Sequence, residues 1–137
     1  MELREAVVVE AVRTPVAKAN WKHKGSEGAF SEVSSHILIN SVVTALVDRI
    51  KQRSRKFDPA EIEDCAVGCH SAIGEQSVIG RMAVLISNLP EEVSGWTVTR
   101  YGCEGLQAII SQAQAIMSGC GDIMMAAGVE NMSRYPL

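Results

Sequence analysis

The residues best suited to chemistry are Cys103 and its neighbours in the run Gly102-Cys103-Glu104-Gly105. The run lies between a β-branched segment, Trp96-Thr97-Val98-Thr99, and a helical pattern that opens at Leu106. Cys103 is therefore expected where a strand turns abruptly into a helix. A thiol at that point has its thiolate stabilised by unpaired backbone N–H groups and by the helix dipole. The same N–H groups suit an oxyanion formed during acyl transfer. Gly102 and Gly105 permit a strained turn and the close approach of a ligand. A small residue packed at a buried turn is the other reading of Cys103.

The remaining candidates carry plainer readings. Cys65, Cys69 and His70 form a C-x3-C-H pattern, but a zinc site joins two close ligands to a second such pair, so no metal is expected. Cys65 inside a strand and Cys120 beside a helix-ending glycine read as small core or turn residues. Met124, Met125 and Met132 lie on or after the last strand, as gap-fillers or as the lining of an acyl channel. Arg13 and Lys18 have the charge for a phosphate, although Arg13 beside Thr14-Pro15 reads as structural. The basic cluster Arg49, Lys51, Arg53, Arg55 and Lys56 reads as a solvated helix end that complements the dipole.

These residues need a scaffold, and the pattern supplies one. The β-branched run from Ala6 to Val12 reads as a buried first strand, stopped at Arg13-Thr14-Pro15. After a glycine-containing loop over residues 21–29, Ser31 is the expected N-cap of a helix whose apolar face is Val33, Ile37, Val42, Leu46 and Ile50. Asp58-Pro59-Ala60-Glu61 opens a short helix, and residues 65–68 form a second buried strand. Val78, Met82, Leu85, Ile86 and Leu89 mark a helix ended near Asn88 by Pro90. A strand over 93–101 follows, then a helix with a wide face of Leu106, Ile109, Ile110, Ala113, Ile116 and Met117, capped by Gly119. Residues 123–127 make the last strand. Strands alternating with helices predict an α/β fold with a mostly parallel sheet covered by helices.

The nucleophile region resembles that of the thiolases. Thr97 to Ala108 follows the order Arg, any residue, catalytic Cys, two small residues, Gly-Leu-Gln-Ala, although that count puts the family's cysteine on Gly102 and leaves Cys103 one position late. Glu104 also stands where the family has a small residue, and a carboxylate there would raise the Cys103 thiol pKa, opposing the helix terminus. Ala11-Val12-Arg13-Thr14-Pro15, Asn88 to Val93, and Gly128-Val129-Glu130-Asn131-Met132-Ser133 are similar to further thiolase segments in the right order.

The resemblance implies an acyltransferase of fatty-acid metabolism, working by thiolysis of 3-ketoacyl-CoA or by the reverse Claisen condensation. Cys103 would be the acyl carrier and Met132 would touch the acyl site. Coenzyme A enters as substrate, and no cofactor is implied. A shift of one residue at a helix start turns a side chain by about 100°. Three outcomes are open: a rearranged turn in which Cys103 still attacks, a catalytically silent thiolase-like subunit, or transposition of the two residues. The family's base, a His in Gly-His-Pro, and its second Cys belong to a C-terminal domain. Residues 1–133 are thus expected to be part of the N-terminal domain, 134–137 to begin a loop domain, and the chain alone to be inert. Its partners would be acyl-CoA and either a second copy or a complementary chain with the C-terminal domain. His70, after the second strand, is expected near the active region and subunit interface.

Composition excludes other classes. With 137 residues, 47% apolar and 21% charged, the chain holds one domain or part of one, and its net charge of -3 offers no general attraction to nucleic acid. Its longest apolar stretches fall far short of the ~20 residues of a membrane span. Four scattered cysteines without a secretory pattern suit a reducing cytoplasm.

Overall fold

The computed structural model describes residues 3–19 and 28–135. Three strands, β1 (Asp64–Gly68), β2 (Ser94–Val98) and β3 (Met124–Gly128), form one sheet in the order β2-β1-β3, with both pairings parallel. The helices are α1 (Ser35–Arg53), α2 (Ile79–Ile86) and α3 (Glu104–Ser118). Short 3₁₀ turns occupy Pro59–Glu61 and Gly74–Gln76. This is the expected α/β architecture with a parallel sheet.

The two faces of the central strand β1 are covered differently. Cys65, Val67 and Cys69 join Ile39, Val43, Ile79, Ala83 and Val84 in the main apolar core beneath α1 and α2. The opposite face meets α3, whose first turn lies directly over the end of β1, where a Cβ at Gly68 would collide with the backbone of Glu104 and Gly105. Farther along α3, Gln112 donates to Asp64 Oδ2 at 2.9 Å and to the Met125 carbonyl at 3.1 Å. Trp96 Nε1 donates to the same Asp64 oxygen at 2.7 Å.

Helix ends follow local chemistry. Asp58 accepts from the Ala60 N–H at 3.0 Å, as its position before Pro59 predicts. Gly119 closes α3 at φ 80°, the left-handed conformation that favours glycine. The start of α1 differs from expectation: the N-cap is Ser34, whose hydroxyl accepts from the Ile37 N–H, and not Ser31.

Three helix faces also differ. On α1 the buried row is Ser35, Ile39, Val43 and Val47, while Ile37 is exposed. On α2 it is Ile79, Gly80, Ala83 and Val84, with Val78 and Leu85 exposed. On α3 it is Glu104, Ala108 and Gln112, so Leu106, Ile109 and Ile110 face outward. Backbone approach is the physical reason. Gly80 lets α2 sit close to the sheet, where a Cβ would overlap the Trp96 carbonyl, and Gly68 does the same for the first turn of α3.

The expected first strand is corrected outright. Residues 6–12 form no strand, and Val7, Val8 and Val9 are 67%, 80% and 74% exposed. Strand propensity describes fitness for a pleated surface, and a strand exists only against a partner ladder, which this segment lacks among the described residues. It is held at its ends instead. The Arg4 N–H donates to the Met117 carbonyl at 3.1 Å, Arg4 pairs with Asp122, and Glu10 takes Arg53 at 2.6 Å. The expected loop over residues 21–29 lies largely outside the described residues, as does His23. Among the described residues no helix is long and apolar enough to cross a membrane.

Candidate functional site

All three strands end at the same edge of the sheet, and the segments leaving them are cross-tied. The Cys69 N–H donates to the Val98 carbonyl at 3.0 Å, Thr99 Oγ1 to the Cys69 carbonyl at 2.8 Å, and the Val129 N–H to the Gly68 carbonyl at 3.0 Å. This is the edge where ligands approach parallel sheets. A cavity of about 430 Å³ opens there, its floor made by Gly68, Gly105 and Gly128 and its walls by His70, Gly102, Glu104, Glu130 and Met132.

The turn between β2 and α3 is tight. Tyr101 at φ 44° and Gly102 at φ 108° both adopt left-handed backbone, sharpest for the bulky Tyr101, which costs about 1–2 kcal/mol. Cys103 follows as the residue capping α3; its side chain makes no cap hydrogen bond, and it is exposed. It stands at the strand-to-helix turn as the sequence predicts. Gly102, one position earlier, lines the cavity, and Cys103 is absent from the lining.

Glu104 organises the turn. One carboxylate oxygen accepts the Gly102 N–H at 2.6 Å and lies 3.1 Å from His70 Nδ1. Burial opposes its charge, but the N–H groups of Gly102 and of Glu104 itself, with the His70 ring, outweigh burial and hold the carboxyl below the usual range. The His70 ring meets the Tyr101 ring edge-on at 5.4 Å. His70 thus lies at this edge, as its place after β1 suggested.

Glu130 fixes the other wall. Its Oε2 accepts the N–H groups of His70 at 2.8 Å and Ser71 at 3.0 Å, and its Oε1 accepts Gln76 Nε2 at 3.2 Å. Cys69 Sγ lies 3.7 Å from the same carboxylate. Burial, then the charge of Glu130, push the Cys69 thiol up to about 12. Cys65, buried in the sheet, is pushed up to about 12 by burial and by Asp64. Both behave as core residues.

Met132 lines the cavity, whereas Met125 packs in the core. Arg13 donates to the Thr14 carbonyl at 3.0 Å, and Arg49 and Arg53 engage Glu10, so these cations serve local structure. Glu104 and Glu130 carry the site's geometry, and sequence reading did not single them out for it. No sequence spacing relates positions 70, 104 and 130, which meet because three parallel strands end together.

The family described as thiolase, N-terminal domain, matches residues 6–137. A 3-ketoacyl-CoA thiolase of Marinobacter nauticus is 35% identical over 98% of this chain and 32% of its own length. A steroid 3-ketoacyl-CoA thiolase of Mycobacterium tuberculosis is 40% identical over 98% of this chain and 30% of its own. An acetyl-CoA acetyltransferase structure from Bacillus anthracis superposes with a TM-score of 0.76 at 26% identity, covering 96% of this chain and 30% of that one. The chain spans about a third of the length of the curated relatives it matches. A parallel sheet with its strand ends gathered beneath a strained Tyr-Gly-Cys turn, together with a match over nearly every residue, means that the chain belongs to the thiolase family.

Proposed function

We propose that this chain bears the acyl-accepting cysteine of a thiolase-type acyltransferase, working with a C-terminal thiolase domain supplied by a continuation of the chain or by a partner. Residues 1–133 are its N-terminal portion, and residues 134–137 begin the loop domain. The Cys103 thiolate attacks the 3-carbonyl of a 3-ketoacyl-CoA, and the bond between carbons 2 and 3 breaks. The departing acetyl-CoA carbanion takes a proton. Coenzyme A thiolate then attacks the acyl-cysteine, releasing the shortened acyl-CoA and regenerating the Cys103 thiolate. The reverse sequence is the Claisen condensation.

The observation that carries this reading is the exposed Cys103 at the N-terminus of the 15-residue α3, on the sheet edge beside the cavity. The outward row Leu106, Ile109 and Ile110 and the edge of β2, unpaired among the described residues, support assembly with a further domain or copy.

A second reading rests on one specific feature. Gly102, at the family's nucleophile position, lines the cavity while Cys103 does not, and Glu104 already occupies the Gly102 N–H. This favours a silent thiolase-like subunit with a structural or coenzyme A-binding role. Peptide mass spectrometry after exposure of the full-length protein to acetoacetyl-CoA separates the two. An acetyl adduct on Cys103 supports the acyltransferase, and coenzyme A binding without an adduct supports the silent subunit.

A further inference from the structure

Glu104 is nearly buried, is anchored by the Gly102 N–H, and presents the same oxygen to His70 Nδ1. An ionised carboxylate can only accept hydrogen bonds, so the facing ring nitrogen must donate. That fixes the neutral imidazole as the Nδ1–H tautomer and makes Nε2 the acceptor. Nε2 has no hydrogen-bond partner among the described residues, and the side chain, 26% exposed, lines the cavity. The ring is further restrained by the Tyr101 ring on one side and, through its own backbone N–H, by Glu130 on the other. A histidine oriented by a carboxylate, with its second nitrogen free in a cleft, has the arrangement of a proton-transfer group.

We infer that His70 and Glu104 form a proton-transfer pair in this cavity, with His70 Nε2 accepting the proton of a ligand thiol of the coenzyme A type. The identity of the ligand rests on the thiolase-type reading; the pair itself does not. In the step, the S–H bond breaks, its electron pair stays on sulfur as the thiolate, and an Nε2–H bond forms. The imidazolium keeps its Nδ1–H on Glu104, whose charge stabilises it, and later returns the Nε2 proton to the departing group. The charged and titratable groups that face His70 are Glu104 from α3, Tyr101 from the preceding turn, and Cys69 and Glu130 at the loop that holds its backbone.

The test is nitrogen-15 NMR of the histidines in the full-length protein, titrated with pH, with coenzyme A and with desulfo-coenzyme A, which lacks the thiol. The expected result is an Nδ1–H tautomer for neutral His70, and a titration midpoint that moves with coenzyme A but not with the desulfo compound. Glu104→Gln should abolish the preference for the Nδ1–H tautomer, because the amide can donate as well as accept. An Nε2–H tautomer, or a midpoint indifferent to coenzyme A, overturns the inference. Thiolysis of acetoacetyl-CoA is followed in parallel. A responsive His70 in a protein without turnover keeps the pair and removes the thiolase-type reading, whereas an Nε2–H tautomer in an active protein removes the pair alone.

Discussion

Glu130 accepts the backbone N–H of His70 at 2.8 Å, tying the segment that leaves β3 to the segment that leaves β1, across 60 residues of sequence. The same carboxylate takes the Ser71 N–H and the Gln76 amide, so it alone satisfies several donors at the cavity wall.

Removing that carboxylate leaves the His70 and Ser71 N–H groups without their acceptor. Glu130→Ala is expected to cost about 2–4 kcal/mol, read as a lower urea midpoint at unchanged slope. A loss below about 1 kcal/mol would mean that water replaces the carboxylate.

Two cavity glycines should respond in opposite directions. Gly68→Ala drives a methyl into the backbone of Glu104 and Gly105 and is expected to destabilise by about 2 kcal/mol or more. At Gly105 a Cβ meets nothing within 4 Å, and the residue lies within α3. Gly105→Ala should therefore stabilise by about 0.5–1 kcal/mol through helix propensity. Thermal melts of the two variants check the pair.

The acid limb of stability should carry the signature of Glu104. Its folded carboxyl lies below the ordinary 4.5. Its contribution is therefore complete above the unfolded value and is lost as pH falls through the lower folded value. Glu104→Gln is expected to lower stability at neutral pH and to flatten the decline toward pH 3, measured as urea midpoints across that range. Parallel curves for the two proteins would remove the linkage.

The four thiols should divide by position. Cys65 and Cys69, both pushed up to about 12, are expected to resist iodoacetamide in the native state at pH 8, where only about one in ten thousand is ionised. Cys103 and Cys120 are exposed and should label. The acyltransferase reading predicts that Cys103 labels faster than Cys120 at pH 7. Equal rates would end the case for Cys103 as an activated nucleophile.

Assembly has its own readout. The outward row on α3 and the edge of β2, unpaired among the described residues, predict a dimer or a larger complex in sedimentation equilibrium, and Ile109→Lys should weaken it. A monomer that Ile109→Lys leaves unchanged would show that this face stays bare.

Much of the scaffold was legible because its signals are local. Asp58 before Pro59, Gly119 after a helical run and the apolar segments at 65–68 and 123–127 each declare themselves within a few residues, and the strand-helix alternation implies the parallel sheet. The Arg100 to Ala108 segment marked both the family resemblance and the position of Cys103 at the turn. The Ala6–Val12 run misled because its composition describes a strand ready to pair, while pairing depends on what lies beside it. Likewise the apolar row of α3 suggested a core face, but close backbone contact with the sheet selected Ala108 and Gln112.

Sequence alone therefore determined the order of the strands and helices from α1 to β3, the α/β class, the family resemblance and the strand-to-helix turn at Cys103, because each rests on neighbours in the chain. Tertiary structure decided that Gly102 rather than Cys103 lines the cavity, and that Glu104 reaches His70 while Glu130 holds its backbone. Those relationships depend on how three parallel strands align their ends in space, which no local spacing encodes.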